Sequence, residues 1–275
     1  MSENNCTHDC SSCSADCASR KPESFLKEPH AGSVIRKAIA VVSGKGGVGK
    51  SLTASLLASY AHKQGKSVGI MDADITGPSI PKMFGVNERA TGSEEGIYPV
   101  LTPSGIQMMS MNLLLDGETT PVVWRGPVIS GAVQQFWTDV LWKDLDLLFI
   151  DMPPGTGDVP LTVFQSIPLA GVVIVTTPQE LVKMVVEKAV NMAGMMHVPV
   201  LGLVENMSYL TCPDCGKRIE VFGESKAEAI AREYGIPAVS RLPLDAEIAK
   251  LADAGRIENY ETDGLQEVYR AVERA

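Results

Sequence analysis

Two cysteines in the last third of the chain, Cys212 and Cys215, have the spacing of metal ligands. They lie in the segment CPDCG, where a C-x-x-C pair offers two thiolates to one metal ion or to one edge of an iron–sulfur cluster. Because structural zinc and iron–sulfur sites usually take four ligands, the pair is expected to be half of a site. A thioredoxin-like redox pair is disfavoured because its usual βαβ context is missing, and a disulfide because cytosolic thiols stay reduced.

The remaining cysteines of the chain form a second cluster near its start: Cys6, Cys10, Cys13 and Cys17. Their spacing is C-x3-C-x2-C-x3-C, which brings four thiolates together within a short stretch. Such a run is able to hold an iron–sulfur cluster unaided, as in ferredoxins, and it also suits zinc, with His8 able to replace one ligand. The spacing does not decide between these metals. A zinc site shared between this cluster and the C-x-x-C pair is a further alternative.

The glycine-rich stretch SGKGGVGKS, residues 43–51, has the residue types that bind phosphate groups. It fits the pattern G-x-x-x-x-G-K-[ST] and lies between an apolar strand pattern and a helical pattern, which is the context that the motif requires. Glycines let the backbone wrap phosphates, and N–H groups at the helix start point at them. Lys50 is expected to reach the β- and γ-phosphates of a nucleotide, and Ser51 to ligate Mg²⁺.

Aspartates end two further strand patterns. MDADITGPS places Asp72 and Asp74 at the end of one, and FIDMPPGTGD places Asp151 after four apolar residues of another. Phosphoryl transfer needs a carboxylate near Mg²⁺ and a group that positions the attacking water. Asp151 fits the first role and Asp74 is the candidate for the second. Asp72 is predicted to support Mg²⁺ or the loop.

The elements that must position these residues alternate along the chain. KAIAVVS, KSVGIMDAD, LDLLFIDMPPG, GVVIVTTPQ and VPVLGLVENMS are strand patterns, with helical patterns between most of them, and GIYPVLTPSGIQMMSM resembles a hairpin. This order predicts the α/β class, with a doubly wound, mostly parallel sheet and helices on both faces. Residues 1–35 are expected to be a flexible, cysteine-rich tail and linker, and residues 36–275 one domain.

Composition limits the partners and the compartment. The formal net charge is −9, which argues against nucleic acid and against an anionic membrane surface as main partners. No run of apolar residues is long enough to span a bilayer, and the polar N-terminal segment does not resemble a signal peptide. The sequence therefore predicts a cytoplasmic protein.

Several motifs together resemble a known family. GKGGVGKS is the deviant Walker A form of the MinD/ParA class of P-loop ATPases. With DADITGPS, WRGP, DMPPGTGD, ENMS and CPDCG in that order, residues 36–275 resemble the Mrp/ApbC family of iron–sulfur cluster carrier ATPases. The resemblance implies a P-loop NTPase fold, ATP, Mg²⁺ and a [4Fe–4S] cluster. It also implies a homodimer in which the C-x-x-C pairs of two subunits share the cluster, and apo iron–sulfur proteins as acceptors.

The same resemblance gives roles to further residues. Lys45 would cross to the nucleotide of the partner subunit, and Asn206 would contact the edge of the adenine, although residue chemistry alone also allows a turn former there. RLPLDAEI, residues 241–248, resembles the segment beside the base. The expected nucleotide-binding residues are Gly44, Lys45, Gly46, Gly47, Val48, Gly49, Lys50, Ser51, Leu52 and Asn206.

Two other classes remain as alternatives. One is a ParA/MinD-like positioning switch that binds DNA or membrane and keeps structural zinc on its cysteines, which the acidic charge disfavours. The other is an electron-donating reductase like the nitrogenase iron protein. That class supplies two well-separated cysteines per subunit rather than a C-x-x-C pair, and it ranks below the carrier.

Overall fold

The computed structural model describes residues 25–75, 79–114, 126–178 and 182–275. The tail cysteines Cys6, Cys10, Cys13 and Cys17 lie outside these residues. The strands are β1 Val34–Val42, β2 Val68–Asp72, β3 Thr91–Ser93, β4 Gly96–Tyr98, β5 Val100–Leu101, β6 Gln107–Met109, β7 Asp144–Asp151, β8 Leu169–Thr176, β9 Val200–Thr211, β10 Arg218–Ile219 and β11 Val239–Pro243. The helices are α1 Lys50–Lys63, α2 Ile80–Met83, α3 Gly126–Thr138, α4 Asp158–Ser166, α5 Val182–Met195, α6 Ala227–Tyr234, α7 Ala246–Asp253 and α8 Gln266–Arg274.

A nine-stranded sheet forms the centre of the domain, in the order β10-β9-β8-β1-β7-β2-β6-β5, with β11 also paired to β9. The pairs of β1 with β7 and β8, of β2 with β7 and β6, and of β9 with β8 and β11 are parallel. Only β5 with β6 and β9 with β10 are antiparallel within this sheet. The prediction of a doubly wound, mostly parallel sheet is therefore confirmed.

The apolar residues of β1 divide between two cores because successive side chains of a strand point to opposite faces. Ala38, Ala40 and Val42 join the core beneath α3, α4, α5 and α6. Ile39 and Val41 join the core beneath α1, α2, α7 and α8. Burial on both faces explains why residues 38–42 of this strand are a continuous apolar run rather than an alternating one.

Two segments differ in detail from the expectation. Residues 100–109 do form a hairpin, but its second strand, β6, also joins the main sheet in parallel beside β2. The predicted linker contacts the domain before position 36. The Lys27 carbonyl accepts a 2.8 Å hydrogen bond from the Trp137 indole, Ser33 donates to the Val140 carbonyl, and β1 begins at Val34. A buried indole N–H needs an acceptor, and the incoming chain supplies it.

No helix in the described part of the chain is long and apolar enough to cross a membrane.

Candidate nucleotide site and cysteine hairpin

The glycine-rich loop joins β1 to α1, as its motif requires. Gly47 and Gly49 have φ values of 76° and 81°, a left-handed conformation that is unfavourable for residues with a Cβ atom. Gly49 caps the N-terminus of α1, and no side chain caps it. The first N–H groups of this helix are therefore directed into the loop, where an anion is favoured.

A cavity of about 290 Å³ opens above this loop, and most of the predicted nucleotide-binding residues line it. Its lining includes Lys45, Gly46, Gly47, Gly49, Lys50, Ser51, Leu52 and Asp74. Gly44 and Val48 have different roles. An added Cβ on Gly44 would lie 2.4 Å from a methyl carbon of Val185 in α5, and the Val48 side chain is buried in the core.

Lys50 and Asp151 form a buried ion pair at the base of the cavity. The distance from Lys50 Nζ to Asp151 Oδ1 is 2.5 Å, and the two side chains are 6% and 1% exposed. Burial raises the pKa of Asp151, and the Lys50 ammonium opposes that rise. A phosphate group entering the cavity would compete with Asp151 for the same ammonium.

Asp72 and Asp151, at the ends of β2 and β7, lie side by side in the sheet. The two strands are neighbours, and Asp72 is the register partner of Asp151. Asp72 accepts hydrogen bonds from the Asp74 N–H and from the Ser110 hydroxyl. Burial, together with the negative charge of Asp151, raises the pKa of Asp72 to about 8. Two carboxylates this close resist being ionised together, so a nearby cation would favour the doubly charged state.

The residues at this point fit Mg²⁺. Asp151 Oδ2 is buried and has no hydrogen-bond partner among the described residues, so one carboxylate oxygen is available. Ser51, at the start of α1, supplies a hydroxyl beside it, and Asp72 a second carboxylate. Oxygen donors of these kinds are the ones that Mg²⁺ prefers, and the bound ion would neutralise charge on the phosphates.

Asn206 contacts the phosphate loop from below. Its side-chain amide donates a 2.9 Å hydrogen bond to the Val48 carbonyl, and the residue is 1% exposed. An added Cβ on Gly49 would lie 2.1 Å from the same amide nitrogen. The structure therefore gives Asn206 a contact with the loop backbone, and its predicted contact with adenine stays a prediction.

Cys212 and Cys215 lie at the tip of a short antiparallel hairpin, apart from the nucleotide cavity. β9 runs to Thr211 and pairs with β10, so that Thr211 faces Arg218 and Leu210 faces Ile219. The tip is closed by hydrogen bonds from Cys212 N to the Lys217 carbonyl and from Gly216 N to the Cys212 carbonyl, each 2.9 Å. Gly216 has a φ of 70°, which the turn needs.

Backbone N–H groups of Cys215 and Asp214 point at the Cys212 sulfur and lower its pKa, which favours the thiolate that binds metals. Both cysteines are free thiols, Cys215 exposed and Cys212 partly buried. Within the described ranges, no three His, Cys, Asp or Glu side chains are grouped closely enough to hold a metal ion. Among the described residues the hairpin therefore offers two thiols, and their role as metal ligands stays a prediction.

A side-chain network beside the hairpin was missed by the sequence analysis. Glu205 is almost fully buried, Ser208 donates to its carboxylate, and Arg241 of β11 donates through Nε to Ser208 Oγ at 2.6 Å. Arg241 also donates through Nη2 to Glu220 at 2.7 Å. One signal was available, because Glu205 is an acidic residue inside an otherwise apolar strand pattern.

Comparison with known proteins places this arrangement in a family. A family model described as NUBPL iron-transfer P-loop NTPase, of the ParA group, matches residues 34–275. An iron–sulfur cluster carrier protein of Methanocaldococcus jannaschii is 48% identical over 225 residues, which is 81% of this chain and 78% of that protein. The protein of the same name from Methanococcus maripaludis is 44% identical over 259 residues, 91% of this chain and 89% of that one.

Solved structures agree with this result. A nucleotide-binding protein from Archaeoglobus fulgidus, solved with ADP and with cobalt found in it, is 50% identical. It superposes with a TM-score of 0.77 over 84% of this chain and 91% of that chain. The cell-division ATPase MinD of Pyrococcus furiosus matches with a TM-score of 0.56 at 19% identity, over 86% of this chain and 97% of that one, and shares the fold.

Proposed function

The chain belongs to the NUBPL iron-transfer P-loop NTPase family, and on that premise we propose that it is an ATP-dependent iron–sulfur cluster carrier. The observation that carries the proposal is the cysteine hairpin. A C-x-x-C turn with one thiol of lowered pKa projects from β9, the same strand whose Asn206 supports the phosphate loop. Curated relatives that cover most of this chain carry the name iron–sulfur cluster carrier protein.

The cluster would be a [4Fe–4S] cluster shared between two copies of the chain. Such clusters usually take four thiolates, and each hairpin supplies Cys212 and Cys215. The hairpin also offers an apolar surface for pairing, because Leu210 and Ile219 lie opposite each other and are 37% and 45% exposed. The acceptors of the cluster would be apo iron–sulfur proteins.

The nucleotide site would bind and hydrolyse MgATP. Lys50 would leave Asp151 for the β- and γ-phosphates, while Ser51, Asp151 and Asp72 would hold Mg²⁺. Asp74, at the edge of the cavity, would position the attacking water, and Lys45 would reach the nucleotide of the second subunit. Hydrolysis would reset the contacts between subunits, and with them the exposure of the cluster.

The test is the metal content of protein purified without oxygen. Iron, sulfide and zinc per dimer are measured for the wild type and for the Cys212→Ala/Cys215→Ala variant, with oligomeric state measured by light scattering. A variant with Cys6, Cys10, Cys13 and Cys17 all changed to Ser is the matched control, since it removes thiols but leaves the hairpin. We expect about four iron and four sulfide per dimer to be lost with the hairpin cysteines and kept in the control.

Two results would reject the shared cluster. Zinc in place of iron, unaffected by the hairpin variant, would favour a positioning switch with structural zinc. If iron were lost from the control and kept in the hairpin variant, the cluster would be bound by the N-terminal cysteines instead.

A further inference from the structure

A bulge interrupts β9 between its part in the sheet and its part in the cysteine hairpin. In the pairing with β11, Glu205 faces Arg241 and Tyr209 faces Pro243. Four steps on β9 (205 to 209) therefore face two steps on β11 (241 to 243). Met207, inside the bulge, has a φ of 55°, a left-handed conformation that costs free energy for a residue with a Cβ atom. Such a conformation persists only where its surroundings enforce it.

Contacts on two sides hold this bulge. Toward the nucleotide site, Asn206 donates to the Val48 carbonyl of the phosphate loop. On the other side, the Ser208 hydroxyl donates to Glu205 and accepts from Arg241 Nε. The Glu205 side chain is 1% exposed and lies 3.5 Å from the Arg241 nitrogen, so its charge is compensated by that guanidinium.

Arg241 also reaches the returning arm of the cysteine hairpin. Its second nitrogen, Nη2, donates to Glu220, the residue that directly follows β10. The guanidinium further lies 5.9 Å from the ring centre of Tyr209, on the outgoing arm. One planar side chain therefore contacts the bulge and both arms of the hairpin, and only an arginine has the donor geometry to do so.

We propose that Arg241 is a positioning residue that couples the phosphate loop to the cysteine hairpin. A change in the position of Val48 on nucleotide binding would move Asn206 and the bulge, and Arg241 with Glu220 would transmit that movement to the turn that carries Cys212 and Cys215. The inference rests on the proposed function for its purpose, because nucleotide state would then set how accessible the two thiols are to a cluster or an acceptor.

The test measures thiol accessibility on the full-length, reduced protein without a cluster. Alkylation of Cys212 and Cys215 by iodoacetamide is followed by mass spectrometry of the peptide that contains them, without nucleotide and with Mg-ATPγS. Each variant is measured at a nucleotide concentration shown to saturate it. In the wild type we expect the nucleotide to change the alkylation rate about fivefold or more, the lower end of typical coupling between sites.

Two substitutions separate coupling from folding. Glu220→Ala removes the hydrogen bond from Arg241 to the returning arm of the hairpin, and the Glu220 side chain is 36% exposed, so the fold should persist. Arg241→Lys keeps the charge near Glu205 but loses the fork of donors. Both should bring the ratio of rates with and without nucleotide close to one. Glu220→Asp should keep most of the response, and Glu224→Ala, the same substitution at a nearby exposed position, should keep all of it.

A wild-type ratio that survives in both Glu220→Ala and Arg241→Lys would overturn the proposal. So would a wild-type protein whose alkylation rate does not change with saturating nucleotide. The measurement does not depend on iron. A chain that carries no cluster but shows the expected pattern would reject the carrier function and leave the coupling intact.

Discussion

The buried pair of Lys50 and Asp151 is the residue-level feature on which the nucleotide site depends. An ion pair out of water is held at the expense of desolvating both partners, and removing one partner leaves an uncompensated charge. The pair is therefore a poor source of stability, but it keeps a cation available where phosphate is expected. A large loss of stability is expected when only one of the two partners is removed.

We expect Lys50→Gln to abolish ATP hydrolysis and to lower the free energy of unfolding by up to about 3–5 kcal/mol, because Asp151 would be buried alone. Lys50→Gln/Asp151→Asn should recover most of that stability, since two neutral amides replace two charges, but should stay inactive. Urea denaturation and ATP turnover measure the two effects.

Lys63→Gln is the control for this comparison. Lys63 pairs with Glu261, whose side chain is 81% exposed, and exposed pairs contribute little to stability. Equal unfolding free energies for the single and double variants at Lys50 and Asp151 would contradict the expectation.

The sequence predicted the types and positions of the site residues better than their contacts. Lys50, Asp72, Asp74 and Asp151 follow from motifs, and the structure brings them to one edge of the sheet. The partner of Asn206 did not follow, because it depends on a bulge in β9 at Met207. Methionine is not a residue that marks a left-handed conformation, and neither neighbour of Met207 is a glycine.

At the scale of elements, the joint between β1 and α1 is constrained by its neighbours, because an added Cβ would meet Val185 at Gly44 and Asn206 at Gly49. Long apolar runs between glycines made the strands and the first helix predictable. The role of residues 100–109 was less predictable. A two-residue strand is too short for a periodic pattern, so the sequence does not show whether the hairpin is free or pairs through its second strand with the main sheet. The glycines of residues 43–51 predicted a loop. Which of them cannot be replaced depends on the side chains that pack against each one in the folded structure.

Gly49→Ala should destabilise the protein by at least about 1–2 kcal/mol, the cost of a left-handed alanine, because its Cβ would also meet the Asn206 amide at 2.1 Å. When Asn206→Ala is also present, the loss of stability caused by the clash with the amide should vanish, and the loss caused by the left-handed alanine should remain. Thermal or urea unfolding measures both.

Gly46→Ala is the matched substitution in the same loop. Nothing lies within 4 Å of an added Cβ there, and the residue does not have a positive φ. We expect its stability to stay close to that of the wild type. Similar losses for the two alanine variants would show that the geometry at Gly49 is not what matters.

At the scale of the whole molecule, the two sites lie on different parts of one sheet. The nucleotide site is at the carboxyl ends of the central strands β1, β2 and β7, and the cysteine hairpin extends from β9 and β10 at the edge. This division was predictable from the order of motifs. The apolar surface of the hairpin was not, because whether Leu210 and Ile219 are buried depends on how far β9 projects beyond the sheet.

Ile219→Glu should weaken the proposed cluster-bridged dimer, because it places a charge on the surface expected to be buried between two copies. The apparent dissociation constant, measured by analytical ultracentrifugation, should rise by about tenfold or more, since one buried charge costs more than 1.4 kcal/mol.

Val34→Glu is the control, since Val34 is 56% exposed at the amino end of β1, away from the hairpin. It should leave the dissociation constant unchanged. If both variants weakened the dimer equally, or if neither weakened it, the result would contradict pairing through the hairpin.

The order of the strands also indicates which parts of the chain unfold locally most readily. The second half of β1, from Ala38 onward, pairs with β7 on one side and β8 on the other, so its amides should exchange with solvent only when the whole domain unfolds. β10 is held by two residue pairs and by the contact of Glu220 with Arg241. The hairpin should therefore open locally while the central strands stay folded, and by this motion the proposed cargo would enter and leave without unfolding of the domain.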